Sequence, residues 1–494
     1  MAAASSLPSH RLIPEGLERT RAAHTHEESH AAPSTPFPSS EADVPQLHAD
    51  ILAIGRRLFA GARRHAPGPL SPERWKELMM HRFIGNEAVK LASLRFVDVF
   101  PALRTSRAVA AHIQEYFGEQ IALTSAHGDL VPHLLRLGAR VAAWPTPFPQ
   151  AAALAARLGV RAMAGQFIAG TTVRQTARVM RRLEAQGFCF SLDLLGEAVI
   201  SEPEASAFLK RYIEVLENLD RLMGRPTRKP ATSTGPRINV SIKLTALVAH
   251  FNPIDPVHTS QAVRQRLRPL FRLARQKGAF INVDMEKHDY RNLTFRIVRD
   301  ILMEDEFRDW QDVGIVHQAY LRDADTQLAR WIEFLKQRGH GMTIRLVKGA
   351  YWDSEQIWAG QRGWPIPVIT HKPSTDAMYE RCTRMLLDAH PIARTAIASH
   401  NIRSIAHAIA YARANGVPAE RLEFQMLHGM AGPIRLALLD EGVPVRIYAP
   451  CGDMISGIAY LVRRLLENTS QDSFLAQKAM HRVPEEQLLA APRG

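Results

Sequence analysis

From Gly187 onward the sequence alternates short apolar or β-branched runs with longer amphipathic ones, and it does so eight times. The short runs are Phe188–Leu194, Arg237–Lys243, Phe280–Asp284, Val313–Gln318, Met342–Val347, Thr395–Ser399, Leu422–Met426 and Val445–Tyr448. Helical patterns fall between them near 202–223, 257–277, 292–307, 325–338, 374–389, 402–415 and 431–441, and one more, 455–468, follows the last. Eight strand-then-helix repeats predict an α/β chain folded as a (β/α)8 TIM-like barrel. A doubly wound sheet ranks lower, because it commonly has fewer strands and marks its dinucleotide turn with GxGxxG. The sequence contains no such fingerprint.

Upstream of the barrel the pattern is helical from 46 to 185. Leu47, Ile51, Ile54 and Leu58 recur at i, i+3/i+4 spacing, and Ser71-Pro72-Glu73 reads as an N-cap with proline in the first turn. Similar periodicity returns across Val109–Tyr116, Leu130–Val141, Ala151–Leu158 and Thr172–Gln186. Residues 1–45 hold six prolines and one aromatic, Phe37, and are expected to be a disordered tail. The HExxH spacing at His26–His30 lies among those prolines and serines, a setting that denies it the helix a zinc site requires. Residues 481–494 are read as a C-terminal tail, and no metal site is expected.

Charge and cysteine content narrow the function classes. Net charge is +13, and the acidic tail carries −3, which leaves +16 on the rest. The basic residues are interleaved with acids and form no Lys/Arg block alternating with aromatics, so nucleic acid is not an expected partner. Three scattered cysteines exclude a disulfide scaffold and point to a reducing, cytoplasmic compartment. No 18-residue apolar run exists to span a bilayer, while the basic body leaves room for peripheral attachment to the inner face of a membrane.

In a TIM barrel the chemistry sits where strands end. The predicted ends are Asp193, Lys243, Asp284, Gln318, Arg345 with Lys348, His400 with Asn401, Leu427 with His428, and Tyr448. A polar residue at one strand end is ordinary, but polar residues closing nearly every strand are not explained by packing. On the final helix Tyr460, Arg463, Arg464 and Glu467 fall at i, i+3, i+4 and i+7 and share a face. Paired arginines beside a barrel mouth suit bidentate capture of a carboxylate or phosphate.

These segments resemble the proline dehydrogenase family, the flavin-dependent barrel found alone or at the front of bifunctional proline-utilisation proteins. The matching stretches are Ser241–Leu247, Asn282–Glu286, Gln318–Tyr320, Ile344–Glu355 (IRLVKGAYWDSE), Ser399–Asn401, Glu423–Met430, Arg446–Pro450 and Tyr460–Asn468. The resemblance implies oxidation of L-proline to 1-pyrroline-5-carboxylate by hydride transfer from C5 to N5 of a noncovalent FAD, the first step of proline catabolism, on a barrel spanning 186–480. It further implies that Arg463, Arg464 and Lys243 bind the substrate carboxylate, that Leu427, Tyr448 and Tyr460 wall the ring, and that Asp284 orients Lys243. Arg345 would sit beside the flavin and stabilise charge on it. Gln318, Lys348, Gly349, Ala350, Trp352, Thr375, His400, Asn401 and Glu467 would hold the rest of the cofactor. Electrons would pass to a membrane quinone. Because no aldehyde dehydrogenase half follows, a separate 1-pyrroline-5-carboxylate dehydrogenase is the expected partner. Three rivals stand beside this reading: hydroxyproline oxidation on the same scaffold, against which Tyr448 argues; a flavin-free Schiff-base lyase using Lys243 or Lys348; and a non-enzymatic basic scaffold that keeps the barrel without turnover, against which the complete set of strand-end residues speaks.

Overall fold

Eight parallel strands close into a barrel in sequence order, β1 pairing with β8. They are β1 Cys189–Leu194, β2 Asn239–Ile242, β3 Phe280–Val283, β4 Val313–Gln318, β5 Met342–Val347, β6 Ala393–Ala398, β7 Leu422–Leu427 and β8 Val445–Cys451. A computed structural model supplies these coordinates and describes residues 44–68, 71, 87–119, 135, 137–140, 142, 144, 147–196, 199–226, 235–453, 457–469 and 483–492. The predicted tail 1–45 up to residue 43, the His26–His30 motif, Pro72-Glu73 and most of Leu130–Val141 lie outside those residues.

Strand boundaries depart from the periodicity by a few residues, and the reasons are local. Arg237 was expected in β2; its guanidinium instead holds the Glu184 carboxylate at 2.7 and 2.9 Å and the Gly224 carbonyl at 2.7 Å, tying the strand entrance to two helices. β8 runs three residues past Tyr448, because Ala169 and Gly170 of the lead-in pair with Pro450 to Gly452. The helix Trp352–Arg362 has no counterpart in the sequence reading. Only Glu355 and Ala359 are buried in it, so it shows no apolar stripe for periodicity to find.

The barrel interior is polar where aliphatic layers are usual. Arg345, 4% exposed, crosses its centre and reaches Ser241 Oγ at 3.2 Å, Ser191 Oγ at 3.5 Å and Asp284 Oδ1 at 2.8 Å. Lower down, Arg446 makes three contacts of 2.9 to 3.1 Å with the Glu423 carboxylate and donates to the Phe190 carbonyl at 2.8 Å. The aliphatic core lies between strands and helices. Ile51, Ile54, Leu58 and Phe59 of the first helix, Val44–Arg64, share that cluster with the barrel. Leu489 packs over Gly55 and Glu485 pairs with Arg63, so residues 483–492 lie against the same helix.

A second apolar cluster forms above the barrel. Val97, Ala164, Phe167 and Ile168 of the lead-in helices meet Leu195, Met430, Tyr460 and Leu461. The lead-in thereby seats the final helix, Ile458–Thr469, at the barrel mouth. Gly429 permits the close approach: at φ +77, a Cβ there would lie 1.8 Å from the Gln166 carbonyl oxygen.

Candidate active site

A cavity of about 370 Å³ opens at the C-terminal ends of the strands. Lys243, Asp284, Gln318, Arg345, Lys348, Gly349, Ala350, His400, Asn401, Leu427, Tyr448, Tyr460, Arg463, Arg464 and Glu467 all line it. Residues from strands, loops and the last helix thus converge on one hollow. Trp352 and Thr375 do not line it. Trp352 is 38% exposed and donates its indole N–H to the Ile369 carbonyl at 2.8 Å, while buried Thr375 turns its hydroxyl back to the His371 carbonyl.

One expected pairing is corrected. Asp284 is not the principal partner of Lys243: the Lys243 ammonium lies 2.6 Å from Asp193 Oδ1 and 4.0 Å from Asp284 Oδ2. Asp284 instead accepts from Arg345 at 2.8 Å, from the Tyr448 hydroxyl at 2.8 Å and from Asn282 at 3.1 Å. Burial pushes the Asp193 carboxyl up from its ordinary value against the pull of Lys243, and pushes the Tyr448 phenol far above its own. Sequence reasoning marked Asp193 as a strand end without giving it a role. It missed Tyr351 and Lys372, whose signal was only their place at the starts of the two helices after β5, Tyr351 capping Trp352–Arg362 and Lys372 opening Lys372–Asp388.

The arginine pair divides its contacts. Arg463 lies over the Tyr351 ring at 5.1 Å and Arg464 over Tyr460 at 5.2 Å. Arg464 also binds Glu467 at 2.6 Å. Burial raises the Glu467 carboxyl, but Arg464 and His400 outweigh it and hold the group at about 2. His400 accepts from the Leu427 backbone N–H at 3.2 Å, and Asn401 caps the next helix by accepting from Arg403 N at 2.9 Å. Burial pulls Lys348 down despite its bond to Asp376, which Lys372 shares at 2.8 Å.

Four polar atoms of the cavity wall are buried without a protein hydrogen-bond partner among the described residues: Gln318 Oε1, Arg345 Nε, Tyr460 Oη and Arg464 Nε. Buried polar atoms are rarely left unpaired, so their concentration here marks a place where a polar ligand completes the site. Lysines at the rim, arginines on one wall and an acceptor on β4 suit a large anionic cofactor lying across the mouth. Among the described residues no cluster of His, Cys, Asp or Glu could hold a metal, and no helix is long and apolar enough to cross a membrane.

A family model described as proline dehydrogenase matches residues 176–477, more than half the chain. The chain belongs to the proline dehydrogenase family. A second model, the proline utilization A N-terminal domain, matches residues 48–167, the helical lead-in. The bifunctional protein PutA of Escherichia coli is 33% identical over 342 residues, covering 68% of this chain and 25% of that one. Proline dehydrogenase 1 of Bacillus subtilis is 27% identical over 317 residues, 64% of this chain and 90% of the relative. The structure of proline utilization A from Bdellovibrio bacteriovorus, inactivated by N-propargylglycine, superposes with a TM-score of 0.80 at 36% identity. It covers 90% of this chain, which corresponds to 44% of the larger one. The chain therefore spans about a quarter of the PutA sequences it matches.

Proposed function

We propose that this member of the family oxidises L-proline to 1-pyrroline-5-carboxylate, with FAD held noncovalently at the barrel mouth and electrons passed to a quinone. The observation that carries the proposal is the convergence of Arg463, Arg464 and Lys243 with Leu427, Tyr448 and Tyr460 around one cavity that also contains four orphaned polar atoms. The chemistry of proline matches each part. Its carboxylate needs fixed cations, its five-membered ring needs an apolar wall, and its C5–H bond must be held in one orientation away from water.

Arg463 and Arg464 hold the carboxylate, and their stacking on Tyr351 and Tyr460 keeps both guanidinium planes in place. Tyr448, anchored to Asp284 through its hydroxyl, presents its ring as a rigid face against the substrate. Arg345 places positive charge at the centre of the barrel, where it favours negative charge building on an electron acceptor above it. Gln318, Lys348, Gly349, Ala350, His400, Asn401 and Glu467 are the cofactor-binding residues in this reading. When bound, the isoalloxazine supplies the acceptor for the C5 hydride. A membrane quinone as final acceptor and a separate 1-pyrroline-5-carboxylate dehydrogenase as consumer of the product complete the proposal. The +16 body would favour peripheral contact with an anionic membrane.

The lyase alternative needs an unpaired, deprotonated lysine. Lys243 and Lys348 each sit in an ion pair, with Asp193 and Asp376 respectively, which disfavours it. Incubating FAD-loaded protein with L-proline and a soluble quinone, with proton NMR of the products, tests the proposal. 1-Pyrroline-5-carboxylate formed in step with quinone reduction is expected. A borohydride-trapped lysine adduct, or turnover of trans-4-hydroxyproline in preference to proline, would replace it.

A further inference from the structure

Asp193 closes β1 inside the barrel, and the substrate-binding scheme above gives it no task. It is 1% exposed, and its Oδ1 accepts from the Lys243 ammonium at 2.6 Å. Lys243 is itself 6% exposed. The other carboxylate within reach, Asp284, is 4.0 Å from that ammonium and is already engaged by Arg345, Tyr448 and Asn282. A lysine buried this deeply gives up its proton readily unless a carboxylate compensates the lost hydration. Asp193 is the one placed to do so. The Lys243 backbone N–H is fixed as well, donating to the Tyr212 hydroxyl at 3.3 Å, so main chain and side chain are both pinned.

We propose that Asp193 is the positioning residue of the substrate carboxylate site, holding Lys243 as a charged ammonium at the cavity wall so that it acts with Arg463 and Arg464. The inference rests on the reading of Lys243, Arg463 and Arg464 as carboxylate ligands. No proton is transferred in this role: it stays on Lys243 Nζ, and the ion pair persists through turnover. The groups facing Asp193 are Lys243 just after β2, Asp284 just after β3, Tyr448 and Cys451 from β8, Tyr212 from the helix Glu202–Met223 and Tyr460 from the final helix. Only Lys243 among them brings a positive charge, and removing the Asp193 carboxylate takes away its 2.6 Å partner while Asp284 stays 4.0 Å from the ammonium.

The test uses cyclopentanecarboxylate, which has the ring and carboxylate of proline but no amine to titrate. Its binding to FAD-loaded enzyme is measured by calorimetry between pH 7 and pH 9.5. Wild-type affinity is expected to hold level across that range. Asp193→Asn should bind more weakly at pH 7 and lose about tenfold or more by pH 9.5, as the unsupported lysine deprotonates and a charge-assisted hydrogen bond disappears. Proline turnover should show the same loss in KM, with kcat changed much less. In a Lys243→Met background, adding Asp193→Asn should alter binding less than about twofold, because the residue it acts through is gone. Asp193→Ser gives the same readout should the amide variant fail to fold. Affinity of Asp193→Asn that stays level with pH, or a full penalty that persists without Lys243, would overturn the inference and leave the proposed function intact. Wild-type enzyme that binds neither proline nor the probe would overturn the carboxylate site itself, and this inference with it.

Discussion

Replacing Asp284 by alanine removes the acceptor that organises the barrel centre, and the cost can be worked from its contacts. Arg345 loses its 2.8 Å carboxylate and keeps Ser241 Oγ at 3.2 Å, Ser191 Oγ at 3.5 Å and the Tyr448 ring at 5.4 Å, none of which carries a full charge. The Tyr448 hydroxyl and the Asn282 amide lose the same acceptor. Breaking one side of a buried pair costs about 3–5 kcal/mol, because the remaining charge is stranded in low dielectric. The acceptor lost by the Tyr448 hydroxyl, which still has the Asp193 carboxylate beside it, adds roughly 1 kcal/mol. Asp284→Ala is therefore expected to lower stability by about 5 kcal/mol in urea unfolding followed by tryptophan fluorescence. Asp284→Asn, which retains an acceptor oxygen, should lose about half as much. Tyr448 would no longer be held against the substrate, so the KM for proline should rise in both variants. A loss below about 1 kcal/mol for Asp284→Ala would show that Arg345 finds other compensation, and the reasoning from this network would fail.

Three other outcomes follow from local geometry. Gly429→Ala places a Cβ against the Gln166 carbonyl at positive φ, so it should cost about 2 kcal/mol or more and loosen the lead-in from the barrel mouth, read as faster amide exchange in the helix Phe148–Phe167. Glu467 has its folded carboxyl held at about 2 against an ordinary 4.5, so its contribution is complete above pH 4.5 and lost as pH falls toward 2. The stability difference between wild type and Glu467→Gln should shrink over that window, and a difference that grows on acidification would contradict the assignment. Burial holds His317, His407 and His428 each near 4, below their ordinary 6.5. Stability that depends on their neutral forms is present above pH 6.5 and lost as pH falls toward 4, so the pH dependence of the urea midpoint should report proton uptake on unfolding there. Its absence would mean that these rings titrate alike in both states.

Much of this was legible in the sequence because a parallel barrel writes its order plainly. Strands β4 and β5 are buried on both faces along nearly their whole length, and the helix Ala324–Arg338 after β4 shows a clear apolar stripe. Strand ends then indicated the cavity wall, and Tyr460, Arg463, Arg464 and Glu467 indicated the helix above it. Pairing was not legible. Asp193 and Asp284 both end strands beside Lys243, and which one takes the ammonium depends on Arg345 reaching across from β5, a contact 61 residues distant from Asp284 in sequence. Trp352 followed from resemblance to the Ile344–Glu355 motif and Thr375 from the family alone; the backbone after Tyr351 enters a helix that turns the indole outward to the Ile369 carbonyl. The place of the lead-in was likewise hidden, because Val97 and Phe167 look like any helical core residue until Tyr460 is seen beneath them.

The most direct test of the central claim is the visible spectrum of the purified protein, recorded without oxygen before and after L-proline. A flavin band that bleaches with L-proline, and more weakly with trans-4-hydroxyproline, is the predicted result. A flavin band indifferent to both would contradict the assigned substrate, and a protein that takes up no FAD would contradict the cofactor site itself.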